Sequence, residues 1–311
     1  MRQMLGRGLM RAVSIQIQTV LYGMDQASLN RSLESIANAV RVNREGVGTV
    51  GDVTVVHGDA SPSRTFDDGA VRDIKERFGA WFGYEYRYFN ENTGTARGHN
   101  RMFEGCASDY VVVQNPDVQY CPRFFERMLE PFGRTDVQVG LVEARQAPIE
   151  HPKEYDPKTK VTPWSTSACI MVPSAVMREV QGFDAETFFL YCDDVDFSWR
   201  VRLTGRSLVY QPLAPVYHPK YLTSHGRWQS TDAEVYYSAL ARLLMLYKWS
   251  YTARCEKLLA EYKRGAGETE QKAAREFEQR RASGRLPLQL DPAHRVADIN
   301  ETGYAHLRFT I

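Results

Sequence analysis

Two hydrophobic periods alternate along the first third of the chain, and that alternation limits the fold more than any other feature. Val13, Ile15 and Ile17 alternate with Ser14, Gln16 and Gln18, the two-residue period of a strand. Leu29, Leu33, Ile36, Ala37 and Val40 then recur at helical spacing. Val53 to Val56 reads as a short strand, Val71, Ile74 and Phe78 as one helical face, Tyr84 to Phe89 as a strand, and Thr95 to Cys106 as a helix after a glycine-containing loop. Tyr110 to Val113 is apolar throughout, as expected of a strand covered on both faces. Strands alternating with helices predict an α/β chain with a mostly parallel central sheet flanked by helices.

The pattern changes after this. Val137 to Val142, Ala168 to Val172 and Leu208 to Tyr210 read as strands, and Ser174 to Val180 as a short helix. Asp194 to Leu203 reads as a helix closed by Gly205. Glu150 to Ser167, rich in Lys and Pro, reads as a mobile loop that gates a site. Beyond residue 231 the pattern is helical. Glu256 to Arg285 is rich in Lys, Arg, Glu and Ala, and suits an exposed helical pair or a dimerising arm. The expected organisation is a domain over 1–230, with halves at about 12–117 and 118–230, then a helical extension over 231–311.

A formal net charge of +1 offers no global field for nucleic acid, so an anionic substrate needs a local site. Five cysteines without a CxxC pair suggest neither a disulfide framework nor a zinc site, and fit a reducing cytoplasm. The basic opening, Met1 to Arg11, is too short and interrupted for a signal peptide. No run approaches the roughly 18 apolar residues of a membrane span. Tyr247, Lys248, Trp249, Tyr251 and Arg254 group aromatic and basic side chains in a way that suits peripheral contact with a membrane surface.

Four segments carry candidate chemistry. Asn115-Pro116-Asp117 follows the apolar strand, where ligands of open α/β sheets bind, and a carboxylate there suits a divalent cation. The same three residues also make a plain turn. Asp193, Asp194 and Asp196 cluster at a helix start behind Phe188 to Tyr191. One acid would serve as an N-cap, whereas three repel one another and point to cation or hydroxyl chemistry. Asn92 to Asn100, with Gly94, Arg97 and Gly98, is a small-residue loop before a helix N-terminus and suits an anion, without a dinucleotide fingerprint. His218 sits between Tyr217 and Pro219 after a strand; a lone histidine there is more often structural, and a metal ligand where a carboxylate-bound metal is near.

In this order the segments resemble glycosyltransferase family 2, and within it bacterial rhamnosyltransferase-like and galactofuranosyltransferase-like members. Val13 to Thr19 looks like the family's opening nucleotide-binding strand, and Val53 to Ser61 (VTVVHGDAS) occupies the place of its "VVDNGS" segment. Asn92 to Asn100 is similar to its glycine loop, and Tyr110 to Asp117 (YVVVQNPD) to the strand that ends in a DxD-type motif. Gly182 to Asp184 with Phe188 to Asp196 is similar to its "GGFDE.FF.Y.ED.D" block, and Leu208 to His218 to its closing strand and histidine.

That resemblance, over roughly residues 12–250, implies a GT-A fold and an inverting transfer of a sugar from a dTDP- or UDP-sugar to a hydroxyl of a glycan or lipid-linked glycan. It implies that Asp117 and His218 bind Mn²⁺ or Mg²⁺ and that Asp194 is the catalytic base. Asp193 and Asp196 would support the base or meet sugar hydroxyls. Thr19, Asp59, Ser61, Asn92, Gly94, Arg97, Asn100 and Asn115 would line the donor, and Trp164 would meet the acceptor. The expected setting is the cytoplasm or the inner face of the cell membrane. Two positions depart from the family pattern: Asn115 stands for the first DxD acid, and Gly58 for the acid that reads the base, with Asp59 beside it. These departures favour a catalytically degenerate scaffold as the alternative. A sugar nucleotidyltransferase is a weaker one, because the loop from Leu21 to Ala27 has no Lys or Arg.

Overall fold

The computed structural model of the protein describes residues 11–150, 152–219, 232–265, 267–300 and 303–304. Most of the basic opening Met1–Arg11, the expected junction at 230–231 and the end of the tail lie outside the described residues.

The expected alternation is present. β1 (Val13–Leu21), α1 (Gln26–Glu45), β2 (Val50–Asp59), α2 (Asp68–Phe78), β3 (Gly83–Tyr88), α3 (Gly94–Phe103) and β4 (Tyr110–Gln114) follow in turn. Asp25 starts α1 by accepting from the Ser28 N–H at 2.8 Å, and Asp67 starts α2 by accepting from Ala70. Leu29, Leu33, Ile36 and Val40 then bury the predicted face of α1. The next elements are β5 (Gln119–Tyr120), α4 (Phe124–Leu129), β6 (Val139–Ala147), β7 (Val161–Thr162), β8 (Cys169–Pro173), α5 (Ser174–Glu179), α6 (Asp193–Leu203) and β9 (Ser207–Tyr217). α7 (Asp232–Lys248), α8 (Thr252–Arg264), α9 (Glu268–Ala282) and the hairpin β10 (Ile299–Asn300)–β11 (Gly303–Tyr304) complete the described chain.

Nine strands form one mixed sheet in the order β3-β2-β1-β4-β8-β6-β9-β5, with β7 on β9. The longest ladders, β1–β2, β2–β3 and β6–β9, are parallel, as is β1–β4. β8 enters antiparallel between β4 and β6. Val111, Val112 and Val113 are fully buried, and they alternate between the cores on the two faces of the sheet. One core lies under α1, α2 and α4; the opposite one packs α3, α5 and one side of α6. A third core joins Trp199 and Val195 of α6 to Leu243, Leu244 and Trp249 in and just after α7 and to Phe277 of α9.

Two strands run further than the apolar periodicity predicts. β2 continues through His57, whose buried ring meets the Tyr84 hydroxyl on β3 at 3.0 Å. β9 continues past Pro212 and Pro215 because its pairing with β6 shifts between Ala144 and Arg145 and then resumes. Proline in a strand is tolerated at such an irregularity, where no ladder donor is required.

Candidate active site

Parallel pairing puts the carboxyl ends of β1, β2 and β4 on one edge of the sheet. The Asn115–Asp117 turn lies there, held by a 2.9 Å bond from the Asn115 N–H to the Ala168 carbonyl. β9 delivers His218 to the same place, with its N–H donating to the Ala147 carbonyl at 2.8 Å. Although Asn115 and His218 are 103 residues apart in sequence, Asn115 Nδ2 is 3.2 Å from His218 Nε2. Asp117 Oδ1 is 3.5 Å from the same nitrogen. Burial pushes the Asp117 carboxyl above its usual range, and His218 offsets only part of that. A partly buried carboxylate beside an imidazole and an amide fits Mn²⁺ or Mg²⁺, with phosphate oxygens and water completing the shell. Among the described residues no group of three or more His, Cys, Asp or Glu that could hold a metal ion is gathered.

The acidic cluster opens α6 after a strained approach. Tyr191 and Cys192 are consecutive non-glycine residues in the left-handed region, at φ 67° and 62°. Each such residue costs on the order of 1–3 kcal/mol and persists only where its surroundings enforce it. Here the Tyr191 hydroxyl donates to Glu234 of α7 at 2.8 Å, and Cys192 is fully buried. The N-cap residue is Cys192, whose side chain makes no capping bond. Asp193 accepts from the Thr95 hydroxyl at 2.9 Å, which joins the N-termini of α3 and α6. Asp194 is buried in the first turn, and its Oδ1 accepts from the Val195 N–H at 2.8 Å.

Asp196 points elsewhere. Its carboxylate is fully buried and meets Arg200 Nε at 2.7 Å, Lys248 Nζ at 2.6 Å and Trp249 Nε1 at 3.2 Å. Lys248 also pairs with Asp184 at 2.6 Å. These bonds tie α6 to α7 through the Asp196 carboxylate. Asn100 is likewise engaged within the fold. Its Nδ2 donates to the Phe183 carbonyl at 2.7 Å and its Oδ1 accepts from the Phe183 N–H at 2.8 Å, so both amide atoms serve the backbone.

The remaining donor-lining candidates divide. Asn92 Oδ1 accepts from the Gly94 N–H at 3.1 Å and is exposed. Gly94 has φ +63°, and a Cβ there would sit 2.3 Å from the Phe189 carbonyl oxygen, so this loop closes against the aromatic segment only as glycine. Arg97 is half-exposed and 3.5 Å from Glu186. Thr19 is buried within the sheet, on β1 opposite His57 and Gln114. Ser61 is buried and accepts from the Gly23 N–H at 3.0 Å. Asp59 accepts from the N–H groups of Ser61 at 2.9 Å and Thr65 at 2.7 Å and from the Tyr86 hydroxyl. Burial raises its pKa, but these bonds outweigh it and hold the carboxyl below its usual range. Asp59 thus clamps the 59–65 loop. A Cβ on Gly58 would come within 2.6 Å of the Phe89 ring, which explains why no side chain occupies that position.

The end of the expected gating loop is a buried strut. Trp164 is 1% exposed, within the core beside α6, with Lys153 Nζ 3.7 Å from its ring centroid. That burial places the Trp164 ring in the core, away from solvent. The next two residues join the two parts of the site. Ser165 N–H donates to Ser198 Oγ at 3.0 Å, and Ser198 Oγ donates to the Asp194 carbonyl at 2.8 Å. Thr166 meets Gln146 and Glu143 of β6. Gln146, 2.8 Å from His218 Nδ1, carries no local sequence signal; only the β6–β9 register reveals it.

Residues 27–181 match the family described as Glycosyl transferase family 2. The chain is similar to an N-acetylglucosaminyl-diphospho-decaprenol L-rhamnosyltransferase of Mycobacterium tuberculosis, 26% identical over a 151-residue alignment that covers 38% of this chain and 49% of that protein. The chain thus spans about half the length of that curated relative. Among solved structures it resembles a mannosyltransferase, PcManGT from Pyrobaculum calidifontis in complex with GDP-Man and Mn²⁺, at TM-score 0.54 and 12% identity, covering 88% of this chain and 82% of that one. It also resembles GalNAc-T7 with UDP, GalNAc and Mn²⁺, at TM-score 0.61 and 11% identity, covering 89% and 60%. At these identities the structural likeness establishes the fold, which is the expected GT-A fold.

Proposed function

We propose the following reaction for this chain, which carries a glycosyltransferase family 2 domain on a GT-A fold: inverting transfer of a sugar from a dTDP- or UDP-sugar to a hydroxyl of a glycan or lipid-linked acceptor. The observation that carries the reading is the meeting of Asp117 and His218, with Asn115, at the carboxyl edge of the parallel strands. Asp117 and His218 would hold Mn²⁺ or Mg²⁺. The bound cation would neutralise charge on the leaving diphosphate, so that no acid is needed to protonate it. Asp194 takes the proton of the acceptor hydroxyl, and attack from the face opposite the diphosphate inverts the anomeric carbon, as a carboxylate base does in inverting glycoside hydrolysis. Asp193, held by Thr95, orients the first turn of α6. The exposed Asn92 and Arg97, with the backbone at Gly94, face the donor's polar groups. The named substrate of the rhamnosyltransferase relative supports a lipid-linked acceptor, and hence work at the inner face of a membrane. Among the described residues no helix is long and apolar enough to cross one.

Calorimetric titration of UDP and dTDP, each with Mn²⁺ and with chelator, tests this reading. Metal-dependent binding of one nucleotide is expected, and Asp117→Ala should weaken it about 10-fold or more only when metal is present. Binding of neither nucleotide, or an equal loss in chelator, would leave the degenerate-scaffold reading in its place.

A further inference from the structure

We propose that Gln146 is a positioning residue that keeps the imidazole proton of His218 on Nδ1, so that the Nε2 lone pair faces the cation site. This inference rests on the cation site proposed above.

A chain of hydrogen-bonding groups leads from the buried part of β6 to the imidazole. It starts at Glu143, a fully buried carboxylate on β6 that pairs with the buried Lys153 at 2.7 Å. Burial raises the Glu143 pKa, and the Lys153 ammonium on Oε2 and the Thr166 bonds on Oε1 pull it back; paired in this way, the carboxylate accepts from the Thr166 hydroxyl, 3.0 Å from Oε1. The same oxygen also accepts from the Thr166 N–H at 3.1 Å. With its proton committed, Thr166 Oγ1 can only accept from Gln146 Nε2, which lies 3.0 Å away. That fixes which way the Gln146 amide faces. Its carbonyl oxygen is then the atom 2.8 Å from His218 Nδ1. An amide oxygen does not donate, so Nδ1 carries the proton. With the proton on Nδ1, Nε2 is the acceptor that faces Asn115 Nδ2 at 3.2 Å.

The resulting tautomer directs the Nε2 lone pair to the place where Asp117 Oδ1 lies 3.5 Å away. An imidazole that ligates a metal through one nitrogen and donates from the other is fixed in tautomer and ring orientation by that second bond. Gln146 can play this part because of sheet register. After the shift between Ala144 and Arg145, Gln146 pairs with Val216 and Ala147 with Tyr217, which sets His218 against the Gln146 side chain. The chain also runs through Thr166, next to Ser165, so the imidazole is braced against the strut that holds the first turn of α6.

Two measurements on the full chain test this. The first is ¹⁵N NMR of histidine-labelled protein in chelator at about pH 8, above the usual imidazole range, with the His218 signals identified by their loss in His218→Asn. Wild-type His218 should be protonated on Nδ1, and Gln146→Leu should show a mixture of tautomers. Protonation on Nε2 in the wild type, or an unchanged Nδ1 signal in Gln146→Leu, overturns the inference. The second is uptake of Mn²⁺ in the presence of UDP, read from the paramagnetic resonance of free Mn²⁺. Gln146→Leu should bind about 10–100-fold more weakly, and Gln146→Glu, which restores an acceptor oxygen, should recover most of that loss. Where Gln146→Leu fails to fold, Thr166→Val removes the anchor of the amide and should weaken Mn²⁺ binding in the same direction. A wild-type chain that takes up no Mn²⁺ overturns the cation site and this role with it. Wild-type uptake matched by Gln146→Leu overturns the positioning role alone.

Discussion

At the scale of single residues, the acids of α6 share one helical turn yet face different surroundings. Asp196 is neutralised by Arg200 and Lys248 in the core, while Asp193 is bound by the Thr95 hydroxyl at the meeting of two helix N-termini. The positive end of a helix dipole lowers the cost of gathering carboxylates there. Asp194 is the acid to which the proposed reaction gives the proton. Asp194→Asn should therefore lose turnover by about 10²- to 10⁴-fold, the usual contribution of a general base. UDP or dTDP affinity should stay near wild type, because the donor is held by other groups. Full turnover in that variant, measured by release of nucleoside diphosphate, would remove Asp194 from the mechanism.

At the scale of elements, the second half of the sheet depends on packing between pieces that are distant in sequence. α6 and α7 are joined through Asp196, Lys248 and Trp249, and the Trp249 ring meets Trp199 edge-on at 5.1 Å. Removing one partner of a buried ion pair leaves the other charge uncompensated, at a cost of about 3–5 kcal/mol. Asp196→Ala should lose stability on that scale in urea unfolding. Lys248 keeps Asp184 in that variant whereas Arg200 loses its carboxylate, so Asp196→Ala/Arg200→Met should regain part of it, since the stranded guanidinium is gone. If the double variant were as unstable as the single one, the loss would come from packing and not from charge. The 150–167 segment follows the same logic. Its composition reads as a loose loop, but Asp156 accepts from the N–H groups of Lys158 and Thr159, and Trp164 and Ser165 are buried. Polar residues close the turn, and a single tryptophan anchors its end.

At the scale of the whole molecule, two buried histidines couple the fold to pH. Burial pushes His57 down to about 4, against a smaller upward pull from Asp59, and pushes His99 down to about 3. Both are neutral when folded and take up protons near pH 6.5 when unfolded. The unfolded chain therefore binds more protons between the two values, and stability falls as pH drops through that window. Each histidine contributes about 1.4 kcal/mol per pH unit once the unfolded form is protonated. Going from pH 7 to 5 should lower the unfolding free energy by about 4 kcal/mol for the pair. His99→Leu should reduce that slope by about half in urea titrations at the two pH values. An unchanged slope would assign the loss to other groups.

What the sequence determined by itself was set by local period and local chemistry. The strand–helix alternation, the buried face of α1, the doubly covered strand Tyr110–Val113 and the closing of α6 near Gly205 all follow from side-chain spacing within a few residues. The order of soft motifs also located Asp117, Asp194 and His218 within candidate segments. Only the tertiary structure decided which of these polar side chains are spent on the core. Asp196, Asn100, Asp59 and Trp164 look as reactive in sequence as Asp117, and each is consumed by partners far along the chain. The full lengths of β2 and β9 and the place of Gln146 behind His218 were likewise settled by pairing across the sheet, and the left-handed turn at Tyr191–Cys192 by packing against α7 and the core. A side chain's burial and hydrogen-bond partners are properties of the packed fold, and neighbours in sequence carry little of that information.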